Sequence, residues 1–227
     1  MSARDRLRRA VVAQFHRPTG AFGALAGLVL ARRPSNRARN AWVVERLAIR
    51  PDDHVLELGF GPGLAIADAA RRAQRGRVVG LDHSEAMHRM ASRRNRAAVR
   101  EGRVELVAGS FAELARVAGA FDAIFAVNAV QFDDDPAALV RALAARLRPG
   151  GRLAIATQSR RAGASDADSL RAGEEAAAWL RAAGLARVRV ETLPLTPACA
   201  VCAIGERASA GEAAAAPAAP AGAATAR

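Results

Sequence analysis

The sequence contains no lysine and no tyrosine. All 34 basic residues are therefore arginine, and the formal net charge is +12. A basic balance of that size invites a nucleic-acid or acidic-membrane partner. An alanine- and arginine-heavy chain without lysine is also what GC-rich codon usage produces, so composition alone assigns no partner. Aromatics reach only 4% while hydrophobic residues reach 51%. Much of that apolar content is alanine, so the core is built from small side chains. Only two cysteines occur, Cys199 and Cys202. That number excludes a disulfide framework. Their i, i+3 spacing in a strand-like run sets them on opposite faces, so the pair cannot chelate a metal. Two packed thiols fit a reducing, cytoplasmic compartment. Long apolar runs are missing too. The longest, at 21–31, has 11 residues, against the ~20 of a transmembrane helix. Arg32 and Arg33 follow it, where a signal peptide needs small residues for cleavage.

What is present is unevenly distributed. Residues 1–50 hold eleven arginines against Asp5 and Glu45, a net of +9, so the rest of the chain carries only +3. We read 1–50 as a basic arm with lid helices, 51–207 as one α/β domain, and 208–227 as a disordered tail. In that tail alanine fills 12 of 20 positions, with Pro217 and Pro220 among them, and no hydrophobic periodicity is visible. Ser35 is placed to cap a helix to about Leu47, with Ala41, Val44, Glu45 and Ala48 divided between one face and its opposite. Pro51 and Asp52 mark a turn.

From there strands and helices alternate. Apolar runs predict strands at 54–58, 77–82, 103–109, 121–128 and 152–157, the last after a Pro-Gly-Gly turn. Helices are expected at 64–73, at 84–99 with Ser84 as its cap, at 136–147 with proline in first position, and at 167–183, stopped by Gly184. Such alternation implies βαβ units and a mainly parallel sheet covered on both faces. The last strands, 186–193 and 198–205, have no helix between them. Pro194 and Pro197 break their connection, which predicts an antiparallel hairpin at the sheet edge.

The chemistry concentrates at 55–63, VLELGFGPG. Glycines between a strand and a helix permit a tight turn and close approach to a ligand. Open parallel sheets bind ligands at the carboxyl ends of their strands. The same loop alone is also compatible with a plain βα turn. A dinucleotide fingerprint reads G-x-G-x-x-G, whereas here the third glycine falls one position early. Pro62 has no amide to offer a phosphate. Glu57 adds a carboxylate that repels pyrophosphate and attracts an amine or sulfonium. Asp82 ends the next strand, 23 residues after Gly59. A carboxylate there can accept bonds from two vicinal ribose hydroxyls or favour a helix N-terminus; paired with the glycine loop, the ribose reading prevails.

With VVGLDHSEAM, FDAIFAVNAVQF and LRPGGRLAI following in order, residues 55–157 resemble the class I S-adenosylmethionine-dependent methyltransferases. They are most similar to the small-molecule group that includes the ubiquinone and menaquinone C-methyltransferases. The resemblance implies a Rossmann-like, mainly parallel seven-stranded sheet with helices on both faces and an antiparallel edge strand. It implies S-adenosylmethionine as cofactor, bordered by Gly59, Gly61 and Gly63 with Phe60 among them. Glu57 would orient the methionine end and Asp82 the ribose, while His83 and Met87 would line the adenine. Ser110 stands where many relatives carry aspartate for the adenine amine, and Phe111 beside it could pack on the ring. Asn128 would offer its carbonyl to the methionine amine and face the acceptor. His16, His83, His88 and Gln131 are candidate bases by location, with Gln131 and His16 on the acceptor side, and no base is assigned.

The Asn-Pro-Pro-Tyr type motif of DNA amino methyltransferases is absent, the place reading NAVQ. Nucleic acid is therefore not the expected partner, and no metal is expected. The reading is methyl transfer to a small hydrophobic or aromatic molecule, with a peripheral membrane contact open to the arm. The rivals are an RNA or protein methyltransferase using that arm, and a non-catalytic cofactor-binding protein.

Overall fold

The structure, a computed structural model, describes residues 33–159, 163–209 and 211. The basic, apolar arm before residue 33 with its His16, and almost all of the alanine-rich tail, lie outside the described residues. Helix α1 spans Pro34–Arg46. Strand β1 is His54–Leu58, α2 Leu64–Arg72, β2 Arg77–Asp82, α3 Glu85–Arg94, α4 Arg96–Arg100, β3 Val104–Ala108, β4 Phe121–Val127, α5 Pro136–Ala145, β5 Leu147–Gln158, α6 Asp166–Ala182, β6 Ala186–Leu193 and β7 Ala200–Glu206. Short 3-10 turns at Phe111–Arg116 and Val130–Phe132 follow β3 and β4.

The strands form one sheet in the order β3-β2-β1-β4-β5-β7-β6. The first five are parallel to one another. The hairpin expected at the edge is there. Its second strand slots between β5 and β6, antiparallel to both, and leaves β6 outermost. The order reverses between β1 and β4, so the carboxyl ends of β1, β2 and β4 border a natural crevice.

Alternation along each strand divides the apolar residues between two cores. Val55, Val78, Ala123, Phe125 and Ala154 pack under α1 to α4, while Leu56, Leu58, Val79, Ile124 and Leu153 pack under α5 and α6. Alanines such as Ala65, Ala69 and Ala91 supply much of the first core, as the scarcity of aromatics foretold. Cys199 and Cys202 are free and buried; burial holds the Cys202 thiol up at about 12. Helix α1 is anchored in the same core as the sheet through Val43, Val44 and Leu47.

Several local expectations shift. Ser35 does not cap α1: proline takes the first helical position and Arg33 precedes it. Ala41, Glu45 and Ala48 all face solvent, because the buried stripe runs one residue earlier. The 84–99 helix breaks at Asn95, whose amide donates to Ala91 and Gly63 carbonyls. The Pro-Gly-Gly segment is not a turn before β5 but lies inside it, at a register shift against β4. No helix among the described residues is long and apolar enough to cross a membrane.

Candidate active site

Strand β1 delivers the glycine loop to the carboxyl edge of the sheet. Gly59 leaves it with φ +71°, a region that L side chains rarely adopt. A β-carbon on Gly59 would sit 2.5 Å from that of Ala129 and 3.7 Å from the Phe111 ring. The loop, the end of β4 and the segment after β3 therefore converge on one point. Gly61, also at positive φ (+50°), has nothing within 4 Å of where a side chain would be. The backbone there is open to a ligand.

Asp82 faces this loop. Its Oδ2 accepts the Gly61 N–H at 2.8 Å and its Oδ1 accepts the Ser84 N–H at 2.8 Å. Each oxygen keeps a further lone pair for a hydroxyl. Burial raises the carboxyl above its ordinary value, opposed by the Ser84 and Gly61 N–H groups and by His83 and His88.

Glu57 lies beneath the loop, 1% exposed. Its Oε2 is buried without a hydrogen-bond partner. Burial pushes the carboxyl well above its ordinary value, reinforced by Asp82 and Asp68, while the Ile66 main-chain N–H favours the ionised form. An unpaired buried carboxyl oxygen is costly. Its presence beside a bare glycine backbone fits a site completed by a polar, cationic ligand.

The other expected residues divide. Phe111 sits over Gly59, half-buried. His83 is exposed directly after Asp82. Asn128 has φ +52°, and its side-chain Oδ1 accepts from the Gln158 N–H at 2.8 Å. Its side-chain oxygen is thus engaged within the protein. Phe60 and Met87 are buried; the Phe60 ring packs against His88, centroids 6.3 Å apart. The Ser110 hydroxyl caps the 3-10 turn with Glu113 in a reciprocal capping box. His88 binds the Leu106 carbonyl through Nε2 at 3.1 Å. A carbonyl only accepts, so that nitrogen carries the proton and is engaged in packing. Gln131 is exposed after β4.

Sequence reasoning missed Asn95, Arg39 and Gln158. Asn95 ties α3 to Gly63. Arg39 and Gln158 are buried polar residues joined at 2.6 Å between α1 and the end of β5. One signal was available: Asn36, Arg39, Asn40, Val43, Val44 and Leu47 follow helical spacing, so the buried stripe of α1 begins polar and ends apolar.

Comparison with known proteins bears on the family and the fold. Residues 55–151 match a family model described as a methyltransferase domain. The chain is 31% identical over 183 residues to the uncharacterized methyltransferase YdaC of Bacillus subtilis, spanning 81% of this chain and 98% of that protein. It is 36% identical over 154 residues to a trans-aconitate 2-methyltransferase of Variovorax paradoxus, spanning 67% of this chain and 57% of the other. Among solved structures it shares the fold of the N-methyltransferase NodS of Bradyrhizobium japonicum, determined with S-adenosylhomocysteine. The TM-score is 0.62 at 19% identity, over 78% of this chain and 90% of that one.

Proposed function

The chain belongs to the class I S-adenosylmethionine-dependent methyltransferases, and from that premise we propose that it methylates a small hydrophobic or aromatic molecule. The observation that carries the donor half is the pairing of Asp82, whose two oxygens each hold one loop or helix N–H, with the unpartnered buried oxygen of Glu57. Asp82 takes the ribose hydroxyls with its remaining lone pairs. A cation at the methionine end would favour the ionised form of Glu57 and be balanced by it. Gly59 and Gly61 let the backbone approach. When bound, S-adenosylmethionine supplies a methyl group already activated on a sulfonium. The protein's remaining work is to align the acceptor and exclude water. A base is required only for an acceptor that carries a proton on the attacking atom.

Support for an apolar acceptor comes from the rim. Phe132, just after β4, is 50% exposed, and Leu170 is 44% exposed. Leu170 adjoins Ser169, whose Oγ accepts from the Ser159 N–H at the end of β5. Both exposed apolar side chains lie on segments that follow the carboxyl ends of strands, Phe132 after β4 and Leu170 in the helix after β5.

Calorimetry with S-adenosylhomocysteine tests the donor half. Asp82→Ala removes the acceptor of the two ribose hydroxyls, and hydrogen bonds to a charged group are worth about 1.5–3 kcal/mol each, so a loss of roughly a hundredfold or more in affinity is expected. Wild type that does not bind, or a variant that binds equally well, sinks this half. Labelled S-adenosylmethionine in cell extract tests the acceptor half. Label in an organic-extractable small molecule supports it, and label confined to RNA or protein overturns it.

A further inference from the structure

Gln158 ends β5 and is 3% exposed. Its side-chain Oε1 accepts from Arg39 Nη1 at 2.6 Å. Its Nε2 donates to the Ala198 carbonyl at 2.8 Å and the Thr196 carbonyl at 3.4 Å. Its main-chain N–H holds the Asn128 side chain at 2.8 Å. The following residue, Ala129, fills the space that a side chain on Gly59 would need. One buried residue thus joins α1, the β6–β7 connection and the end of β4, and through Ala129 it reaches the first glycine of the loop. Arg39 is itself 3% exposed and also donates to Asn36 on α1.

An apolar residue of similar shape would fill the same space without burying an amide. A buried network whose members are bonded to one another fixes a unique geometry. We propose that Gln158 is a positioning residue for methyl transfer: it sets Asn128 against the glycine loop, and it does so from a position that Arg39 of α1 locks. The proposal rests on the methyl-donor reading. The positive φ of Asn128, uncommon for a residue other than glycine, is the backbone conformation to be held.

The test is the affinity for S-adenosylhomocysteine of Gln158→Met, Arg39→Met and the double variant, measured by calorimetry on the full chain. Leu180→Ala, which opens a cavity in the core on the opposite face of the sheet, controls for lost stability. Each single variant is expected to bind about tenfold more weakly and the double no worse than roughly thirtyfold, because residues in one network are not additive. Leu180→Ala is expected to bind like wild type despite melting lower. Should Gln158→Met fail to fold, Arg39→Met against Arg39→Lys decides, with lysine expected to restore most of the affinity. Gln158→Met binding within about twofold of wild type, or single losses that multiply in full, would overturn the proposal. Wild type that fails to bind overturns the donor reading, and the proposal with it.

Discussion

Replacing Glu57 by glutamine separates the stability of this fold from its function. The native carboxyl is held well above its ordinary value of 4.5 by burial and by Asp82 and Asp68. In the unfolded chain no such burial exists. Between 4.5 and the raised native value, the folded protein keeps a proton that the unfolded chain has released. Stability must then fall as pH rises through that window, by about 1.4 kcal/mol per pH unit for one proton. Below the window the term vanishes; above it the loss is complete. Glutamine cannot titrate, so the difference between Glu57→Gln and wild type reads this group together with its coupling to Asp82. For a domain of this size roughly 1 kcal/mol moves the melting temperature by about 2–4 °C. The variant should gain on wild type by roughly 3–6 °C for each pH unit above 4.5 until the native carboxyl ionises. A pH-independent offset from the buried amide shifts both ends alike and leaves the slope intact. Calorimetric or fluorescence melts at pH 5, 6, 7 and 8 read it directly, and the same variant should bind S-adenosylhomocysteine more weakly. Parallel melting profiles for the two proteins across that range would refute the burial argument.

Two further outcomes follow from the geometry. Gly59→Ala forces an L side chain into positive φ and onto Ala129 at 2.5 Å, so binding of S-adenosylhomocysteine should fall below detection by calorimetry, and pairing it with Ala129→Gly should not restore it. Arg152 bridges Asp53 at 2.8 Å, both largely buried, and also donates to the Ala48 carbonyl. Arg152→Met leaves the Asp53 carboxylate its Arg50 N–H but no countercharge, and denaturant titration should show a loss of about 3 kcal/mol, with donor affinity per folded molecule unchanged.

The central strands were legible because each is a short apolar run of its own, whereas β5 runs back through the Pro-Gly-Gly segment that reads as a turn. HVLEL and RVVGLD emerge at the expected bounds. The donor loop was legible because its residues are consecutive and their spacing is chemical. The remaining site was harder to read because it is assembled by tertiary contact. Gln158 looks like the polar residue that follows a strand, and Arg39 like one more arginine in a basic arm. Helical spacing sets Arg39 in the buried stripe of α1, but nothing local names Gln158 as its partner 119 positions away. Asn95 reads as a neutral member of an amphipathic helix until Gly63 is brought beside it. Ser110 shows the converse: a position resembling an adenine contact acquires a capping task once Glu113 turns back on it.

The place of β7 in the sheet bears on how the chain must be made. Synthesis runs from the N-terminus, and domains fold as their segments emerge. Here the strand that fills the gap between β5 and β6 is the last of the seven to appear. Until Ala200–Glu206 arrives, β5 presents a bare edge along Arg152–Gln158, with an apolar face on either side. Such an edge is a template for pairing with other chains. A nascent polypeptide stalled or truncated between β6 and β7 would carry the complete glycine loop and an aggregation-prone sheet. Closure joins a local hairpin with β6 to a non-local pairing with β5, and non-local pairings form more slowly.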